Sequence, residues 1–479
     1  MSSKPLTSPA DIEHRGKLLQ VLGVAFGLAV SIGNTIAAGI VRTPGEIATY
    51  LPTPTLFVAV WLVGGLYALL GANSIAELGT MIPKSGGQYV FARRALGPYA
   101  GFIVGWSDWM STCGTNAAVA IVIGEYSGAL LEPYFPGAGS RLLIPTATAV
   151  LLFFTLLNWR GIHRGSAAQN LTSLLKALIF IAIVAACFLF GRRGGEGEAL
   201  ASAALTLPAG IVLFKAFMNA LQSVMYTYDG WTGPIYFSEE IRNPGRDIPR
   251  AMMGGALGIV GIYALFNLAL LFILPFSKIA GETFAMGAAT SLIFGPAGDT
   301  IARALMVVCL LSGINAFVLM TSRVLFSMSR DGLFSARAAV VNPGGTPTFA
   351  LLLSTVVALV FLYGTVIEGA VNRLLNVALG TTFQVSGAFQ SVINICAFFF
   401  VANYLISFTS VFVLRWREPD TPRPYRAWGH PWTTGTVLLA SVAYLGGVIY
   451  SDLKTSAISL TLLGLSYPAF RLMKLPRAQ

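Results

Sequence analysis

Two short polar interruptions lie inside long apolar segments, one near the start of the chain and one near its middle. The first runs from Gly33 to Gly39 (GNTIAAG), and the second runs from Tyr226 to Trp231 (YTYDGW). A helix that unwinds within hydrocarbon leaves backbone amides and carbonyls unpaired, so it is tolerated only where the backbone lines a polar cavity or holds a ligand. The two interruptions therefore predict one ligand site built from both.

The backbone groups freed at these interruptions predict the chemistry of the ligand. A half-helix beginning near Ala37 presents free amides and the positive end of its dipole, which suit a carboxylate. The preceding half-helix ends near Gly33 and the other near Tyr226 and Thr227, and their carbonyls suit a protonated amine. An α-amino acid carries both groups a few bonds apart. The alternative is that both sites are glycine kinks for helix packing.

Three charged residues fall deep inside apolar segments, where an unpartnered charge is costly. Lys176 lies about seven residues into its segment and either binds a partner or snorkels to the headgroups. Asp108 is predicted near mid-membrane, as a proton-coupling group, a ligand for a substrate amine or a structural hydrogen-bond acceptor. Asp229 either caps the unwound turn or contacts the substrate. Trp231 follows the break and is a candidate gate, with a packing wedge as the alternative.

The composition excludes most other classes of protein. Of 479 residues, 55 % are hydrophobic and 11 % are charged, and the mean hydropathy is +0.72, which indicates a polytopic membrane protein. The net charge of +11 comes from small clusters between apolar segments, so we expect no nucleic-acid partner. The four cysteines lie in apolar segments and are expected to pack there. The three histidines lie in tails or loops, so we expect no enzyme, metal or cofactor.

Apolar windows predict an all-α protein with twelve spans, the first and sixth being broken. The two halves of the core, residues 18–190 and 207–416, each contain five predicted spans. Because five is odd, the second half is inverted in the membrane relative to the first. We therefore predict a 5+5 inverted repeat in which the two breaks meet. The predicted spans lie near 18–50, 55–80, 98–130, 142–158, 166–190, 207–240, 251–275, 299–328, 348–367, 386–415, 433–451 and 456–472.

The distribution of basic residues predicts the orientation. Most of the 31 lysines and arginines fall on the side that also holds the tail 1–17, the loop 417–432 and the tail 473–479. The positive-inside rule therefore places both termini in the cytoplasm. The last two spans, within 433–472, are predicted to be an appendage to the ten-helix core.

Several motifs resemble those of the amino acid-polyamine-organocation superfamily, and of its L-type amino acid transporter branch. The segment from Glu77 to Tyr89 (ELGTMIPKSGGQY) is similar to the signature between its second and third helices. Three further matches follow in the family's order, together spanning roughly residues 30–425: Tyr228 to Trp231 with Ser238-Glu239-Glu240 and Asn243-Pro244, then Ser329-Arg330-Asp331-Gly332, and then Arg417-Glu418-Pro419.

The resemblance implies a leucine-transporter-like fold, alternating access and substrate recognition at both breaks. It implies that Tyr226 is the aromatic gate. It also implies that Lys176 replaces a sodium ion by joining a carbonyl near Gly33 to the Ser312 hydroxyl, so that transport is sodium-independent. The family's Gly-Ser-Gly aligns here with Ala37-Ala38-Gly39, which removes a serine hydroxyl. The predicted substrate-binding residues are Thr35, Ile36, Ala37, Ala38, Gly39, Tyr226, Thr227 and Asp229.

These observations predict an amino acid carrier of the plasma membrane, either an exchanger or a proton-coupled symporter. Coupling is assigned to Lys176, Ser312 and Asp108. Light chains of the branch join a glycoprotein through a cysteine between helices three and four. Because 131–141 contains no cysteine, no such disulfide-linked partner is expected. The alternatives are a polyamine or organic-cation antiporter that uses Asp108 and Asp229 as paired anions, and an amino acid sensor without transport.

Overall fold

A computed structural model describes residues 18–191, 210–379 and 388–474, with the backbone alone at 365–379, 388–391 and 474. Most of these residues are helical, and the β-type pairing among them is an isolated bridge between Leu22 and Ile241. The predicted tail 1–17, the beginning of the predicted span at 207 and nearly all of the tail 473–479 lie outside the described residues.

The long helices lie over the predicted segments, whereas three short helices, at 88–96, 276–279 and 285–294, lie between them. In the first half they are α1 Val24–Thr35, α2 Ala38–Tyr50, α3 Pro54–Met81, α4 Gln88–Leu96, α5 Pro98–Leu131, α6 Ala138–Trp159 and α7 Ile162–Phe190. In the second half they are α8 Gly210–Tyr228, α9 Pro244–Ile273, α10 Phe276–Ile279, α11 Ala285–Phe294, α12 Ala297–Arg330, α13 Thr348–Leu379, α14 Ala388–Arg417, α15 Trp432–Ser451, α16 Leu453–Gly464 and α17 Ser466–Lys474.

Local sequence explains several helix boundaries. Proline is the first residue of α3, α5 and α9, where its missing N–H costs no hydrogen bond. Thr53 caps α3 by accepting a hydrogen bond from the Leu56 amide at 3.3 Å. Gly97 separates α4 from α5 with a φ of 98°, a conformation that favours glycine.

Eight helical segments among the described residues are long and apolar enough to cross a membrane. The predicted number of twelve spans is therefore still a prediction, since α5, α8, the described part of α13 and the α16–α17 pair fall outside that set. Helix α5 is long but buries polar side chains such as Asp108 and Asn116, because it packs against other helices instead of lipid. The eight segments are Val24–Tyr50, Pro54–Met81, Ala138–Trp159, Ile162–Phe190, Pro244–Ile273, Ala297–Arg330, Val392–Arg417 and Trp432–Ser451.

The predicted last span is helical but is interrupted at Leu465. Instead of one helix over 456–472, α16 ends at Gly464 and α17 begins at Ser466. Twelve residues of helix extend about 18 Å, which is short of the ~30 Å hydrocarbon thickness. The interruption is one residue long, and the Leu465 amide still donates to the Thr461 carbonyl at 2.9 Å, so the last span near 456–472 stays a prediction.

Polar and apolar side chains are distributed as in a membrane protein. On the outer face of α7, Leu171, Leu174 and Leu178 are more than half exposed. The central helices α5 and α12 are buried along most of their length. All four cysteines are buried and free, which confirms the packing prediction. Exposed leucines around a core that contains polar groups identify a multi-pass membrane protein.

Ion pairs gather where several helices end. Arg93 contacts Asp331 at 2.6 Å, and Arg330 contacts Glu239 at 2.8 Å. Arg323 forms a fully buried pair with Glu240. Glu77 forms ion pairs with both Arg415 and Arg423. These pairs join α3 to α14 and to the loop that follows α14. Basic residues that the positive-inside rule assigned to one side therefore lie together in the tertiary structure.

Candidate substrate site

The first break separates α1, which ends at Thr35, from α2, which begins at Ala38. The Ala37 amide donates to the Thr35 carbonyl at 2.8 Å, so the expectation that it is free to hold a carboxylate was wrong. The turn between the half-helices is tighter than the sequence indicated and uses this amide internally. The amides of Ala38, Gly39 and Ile40 begin α2 and have no backbone partner among the described residues.

The second break follows α8, which ends at Tyr228, and leads into a short 3₁₀ helix, Gly233–Phe237. Gly230 within the turn has a φ of 116°. A Cβ atom added there would collide with Asn34 and with the backbone nitrogen of Thr35. Glycine is therefore required at 230, both by its backbone conformation and by the close approach of the first break.

A tyrosine hydroxyl joins the two breaks. Tyr263, from α9, places its Oη atom 2.6 Å from the carbonyl oxygen of Thr35 and 3.0 Å from that of Thr227. Its side chain is fully buried. One hydroxyl proton is thus shared by two carbonyls from the ends of the two half-helices. The structure confirms that the breaks meet, and Tyr263 is a residue that the sequence did not single out.

Gly39 forms the closest packing between the two breaks. A Cβ atom at this position would lie 2.6 Å from the Thr227 hydroxyl oxygen and 2.9 Å from the Thr227 Cα atom. The backbone atom cannot move aside as a flexible side chain can. The Thr227 hydroxyl also lies 3.0 Å from that of Thr43, one turn further along α2.

We expect Gly39→Ala to weaken substrate binding, because the added methyl forces α2 away from Thr227. Overpacking of this kind costs about 1–3 kcal/mol, which corresponds to roughly a 5- to 150-fold loss of affinity. Gly261→Ala is the matched control, since a Cβ atom there meets nothing within 4 Å. Equilibrium binding to purified protein measures both variants. Equal affinity in Gly39→Ala and Gly261→Ala would contradict the assignment of Gly39.

A small cavity lies between the breaks. Six of the predicted substrate-binding residues line it, and its free space is about 10 Å³, enough for about one water molecule. The described conformation is therefore closed around the site, and an amino acid enters only if side chains move. The six residues are Thr35, Ala37, Gly39, Tyr226, Thr227 and Asp229.

Four further residues complete the wall of the cavity, namely Asn34, Thr115, Phe317 and Phe400. Asn34 was detectable in the sequence, since it is a polar residue within the first break, next to Thr35. In the structure it is buried, and its Oδ1 atom has no hydrogen-bond partner among the described residues. Phe317 and Phe400 lie on apolar helices and resemble ordinary core residues in the sequence. Phe400 stacks on Tyr226 with ring centroids 6.3 Å apart, so two aromatic rings close one side of the site.

Lys176 lies against the end of α1. Its ammonium donates to the Gly33 carbonyl at 3.0 Å and also to the Ile36 carbonyl. The side chain is fully buried, so snorkelling to the headgroups does not describe it. The cation lies where a helix C-terminus presents unpaired carbonyls. The predicted contact near Gly33 is therefore confirmed, and Ile36 contributes a carbonyl to Lys176 instead of a side chain to the cavity.

The predicted contact between Lys176 and Ser312 was wrong for this conformation. The Ser312 hydroxyl donates to the Cys309 carbonyl, one turn back in α12, at 3.0 Å. Serine in a helix interior commonly bonds to its own backbone in this way. The hydroxyl is satisfied locally, and no hydrogen bond joins it to Lys176 among the described residues.

Asp108 and Asp229 accept hydrogen bonds from different tyrosines. The Tyr236 hydroxyl, in the 3₁₀ helix after the second break, is 2.8 Å from each carboxylate oxygen of Asp108. Asp108 is buried and does not line the cavity. Asp229 lines the cavity and accepts a hydrogen bond from the Tyr404 hydroxyl. Asp108 is thus linked to the break through Tyr236, whereas Asp229 borders the substrate space.

Trp231 packs away from the cavity. Its ring stacks on Tyr404 with centroids 4.9 Å apart. A Cβ atom added at Gly71, on α3, would press on the same indole. The described conformation therefore gives Trp231 the contacts of a packing wedge, and Trp231 does not line the cavity that it was predicted to gate.

Ala38, another of the predicted substrate-binding residues, is fully buried and does not line the cavity.

The comparison with known families agrees with this geometry. The family described as "Amino acid permease" matches residues 17–461. The chain belongs to the amino acid permease family. This confirms the resemblance found in its motifs, and the function of this permease is to be sought among transporters instead of enzymes.

Curated relatives of the permease are named as transporters and exchangers. It is 28% identical over 467 residues to the serine/threonine exchanger SteT of Bacillus subtilis (strain 168), an alignment that covers 96% of this chain and 98% of that protein. It is 25% identical over 375 residues to b(0,+)-type amino acid transporter 1 of Homo sapiens, covering 75% and 72%. It is 26% identical over 427 residues to large neutral amino acids transporter small subunit 2 of Mus musculus, covering 85% and 73%.

Proposed function

We propose that this chain is a secondary active transporter that moves L-amino acids across the cell membrane by alternating access. The observation that carries the proposal is the meeting of two broken helices around a closed cavity. Free amides of Ala38 and Gly39 lie on one side, and Asp229 with the carbonyl end of α8 lies on the other. A zwitterion matches this arrangement of partial charges.

The lining favours a small substrate side chain that carries a hydroxyl. Three threonines, Thr35, Thr115 and Thr227, contribute to the cavity, and the free space is narrow. The Thr35 and Thr227 hydroxyls donate to the carbonyls of Ser31 and Ser223, so each can accept a hydrogen bond from a ligand. The relative named a serine/threonine exchanger supports the same substrate class. We therefore place serine and threonine first among the candidate substrates, and alanine next because its side chain is small.

The proposed architecture has twelve spans, with a 5+5 inverted repeat in residues 18–190 and 207–416. The α1–α2 break and the break after α8 occupy corresponding positions in the two halves, and Tyr263 joins them. The gathered arginine pairs at one end of the helices support a cytoplasmic location for that end and for both termini. No disulfide-linked partner is proposed, because 131–141 lacks cysteine.

Sodium independence is proposed from Lys176. Its ammonium already occupies the carbonyls of Gly33 and Ile36 at the end of α1. A second cation at these carbonyls would be repelled by the first. We accordingly propose that transport proceeds by exchange or by proton coupling.

A polyamine or organic-cation antiporter is the second candidate. The observation in its favour is the presence of two acidic side chains, Asp108 and Asp229, near the second break. Each already accepts a hydrogen bond from a tyrosine, and only Asp229 lines the cavity. One accessible anion beside the amides of a helix N-terminus fits a zwitterion better than a dication. A sensor that binds an amino acid without transporting it is the remaining alternative.

The decisive experiment measures ligand-induced stabilisation of the detergent-purified protein. Each of the twenty amino acids, putrescine and agmatine is tested for a rise in melting temperature, and a ligand at 100 times its Kd adds about 2.7 kcal/mol of stability. Stabilisation by serine, threonine or alanine, followed by their uptake into proteoliposomes without sodium, is the expected result. Stabilisation by the diamines alone supports the second candidate. Binding without uptake supports a sensor.

We expect Asp108→Asn to abolish any pH dependence of uptake, because the amide cannot bind or release a proton. Initial uptake rates between pH 5 and pH 8 provide the measurement. Asp299→Asn is the matched control, since Asp299 forms a partly exposed pair with Arg303 within α12. A wild-type pH profile in Asp108→Asn would reduce Asp108 to a structural hydrogen-bond acceptor of Tyr236.

A further inference from the structure

Three buried amide side chains meet where α6, α7 and α12 pack together. They are Asn158 on α6, Asn315 on α12 and Gln169 on α7, and none of them lines the substrate cavity. The helices that carry them are long and apolar enough to cross a membrane. Polar side chains are costly inside a membrane bundle, and those that occur there commonly have a function. The contacts of these amides indicate which function they have.

The three amides form a chain of hydrogen bonds with one direction. The Asn158 Nδ2 atom donates to Oδ1 of Asn315 at 2.9 Å, and the Asn315 Nδ2 atom donates to Oε1 of Gln169 at 2.9 Å. The Gln169 Nε2 atom then donates to the carbonyl of Ala29, in α1, at 3.2 Å. Successive hydrogen bonds of this kind polarise and strengthen one another. This amide chain, Asn158–Asn315–Gln169, therefore runs from α6 through α12 and α7 and ends on the backbone of α1.

Gly33 allows the side chains of α7 to reach the backbone of α1. A Cβ atom at this position would lie 2.0 Å from the Gln169 Nε2 atom and 2.8 Å from the Ser173 hydroxyl oxygen. Ser173 donates to the same Ala29 carbonyl at 2.7 Å, and Lys176 donates to the Gly33 carbonyl at 3.0 Å. Spacings of four and three residues place Gln169, Ser173 and Lys176 on one face of α7. That face therefore holds α1 by its carbonyls, and the amide chain connects it to α12.

The two helices that the amide chain connects both contribute to the wall of the substrate cavity. Helix α1 ends at Thr35, and α12 carries Phe317, two residues after Asn315. We propose that Gln169 and Asn315 are positioning residues, which hold α1 against α12 in the closed conformation without contacting the substrate. The inference rests on the transport function proposed above. Because a carrier passes through its closed conformation in each cycle, loss of the amide chain lowers the population of that conformation and slows transport.

The first test measures uptake and binding in variants of the amide chain. Gln169→Met keeps the length of the side chain and removes its amide, and Asn315→Leu removes the preceding one. We expect each to lower the maximal rate of amino acid uptake into proteoliposomes about fivefold, as the loss of one net hydrogen bond predicts. The equilibrium affinity for substrate should stay unchanged. Because both substitutions break the same chain, the double variant should be no slower than the slower single variant.

The second test reports the position of α1 without reference to transport. Hydrogen exchange of the full chain in lipid nanodiscs, followed by mass spectrometry, measures the protection of the backbone amides in 24–35. We expect faster exchange there in Gln169→Met than in the wild type. Thr155→Val is the matched control for both tests, because it removes a buried hydroxyl contact of 2.8 Å between α6 and Thr355 that does not lead to α1. This control should exchange and transport as the wild type does.

The two tests separate this inference from the transport function. A wild-type protein that takes up no amino acid would refute the transport function, whereas faster exchange in 24–35 of Gln169→Met would still support the positioning of α1. Unchanged exchange there in a folded variant would overturn the positioning, as would rate losses that multiply in the double variant or an affinity loss as large as the rate loss. Two single variants are used so that misfolding of one, detected by its melting temperature, leaves the other informative.

Discussion

Replacing Lys176 with methionine is expected to reduce the initial rate of amino acid uptake by about 100-fold. The ammonium holds the Gly33 and Ile36 carbonyls, and each hydrogen bond to a charged group contributes about 1.5–3 kcal/mol. Methionine keeps the length of the side chain but leaves both carbonyls without their cation. The end of α1 then loses its fixed position, so the closed state that carries substrate across the membrane becomes less populated.

Substrate binding separates this effect from simple damage to the site. Lys176 does not line the cavity, so we expect Lys176→Met to bind substrate with an affinity close to that of the wild type. Lys215→Met is the matched control, because Lys215 is an exposed lysine on α8 that lies over the Tyr450 ring. Uptake into proteoliposomes and equilibrium binding are measured for both. Normal uptake by Lys176→Met would show that α1 needs no cation at its end.

Replacing Glu240 with glutamine is expected to lower the free energy of unfolding by about 3–5 kcal/mol. Glu240 and Arg323 form two parallel contacts of 3.1 and 3.2 Å, and neither side chain is exposed. The substitution leaves the arginine charge buried without its counter-ion. Thermal unfolding in detergent, followed by size-exclusion chromatography of the heated samples, measures the loss.

The combined replacement of both partners tests the cause. Glu240→Leu together with Arg323→Met removes both charges, and apolar substitutes for a buried ion pair are often neutral or stabilising. We expect the double variant to regain most of the stability lost by Glu240→Gln. The control, Glu239→Gln, breaks a partly exposed contact with Arg330 and should cost less than about 1 kcal/mol. A double variant as unstable as the single one would assign the loss to packing instead of charge.

These ion pairs also explain the motifs that carried the family resemblance. Glu239, Glu240, Arg330 and Asp331 belong to two motifs about 90 residues apart, and each pairs with a residue from a different element. Glu418, from the last motif, Arg417-Glu418-Pro419, contacts Arg94 at 2.5 Å. These charged residues therefore hold helix ends together on one face and do not line the substrate cavity, whereas Asp229, from the motif Tyr228 to Trp231, does line it.

The two helix breaks were predictable because their residues differ in type from the apolar segments around them. Glycine and polar residues inside apolar segments indicate unwound backbone, and the structure places unwound turns at both positions. The buried charge of Lys176 likewise required a nearby acceptor, and the carbonyl of Gly33 supplies it. In each case the cost of an unpaired polar group in hydrocarbon is large enough to restrict the local structure to one outcome.

By itself, the sequence determined the helical class, the location in a membrane, the positions of the two breaks and the family. Only the tertiary structure decided that Tyr263 joins the breaks, that Phe317 and Phe400 close the cavity, and that Ser312 bonds within its own helix. Composition and helical periodicity report which residues avoid water. They do not report which helix a given face meets, because such contacts join residues far apart in the chain and depend on how all the helices pack.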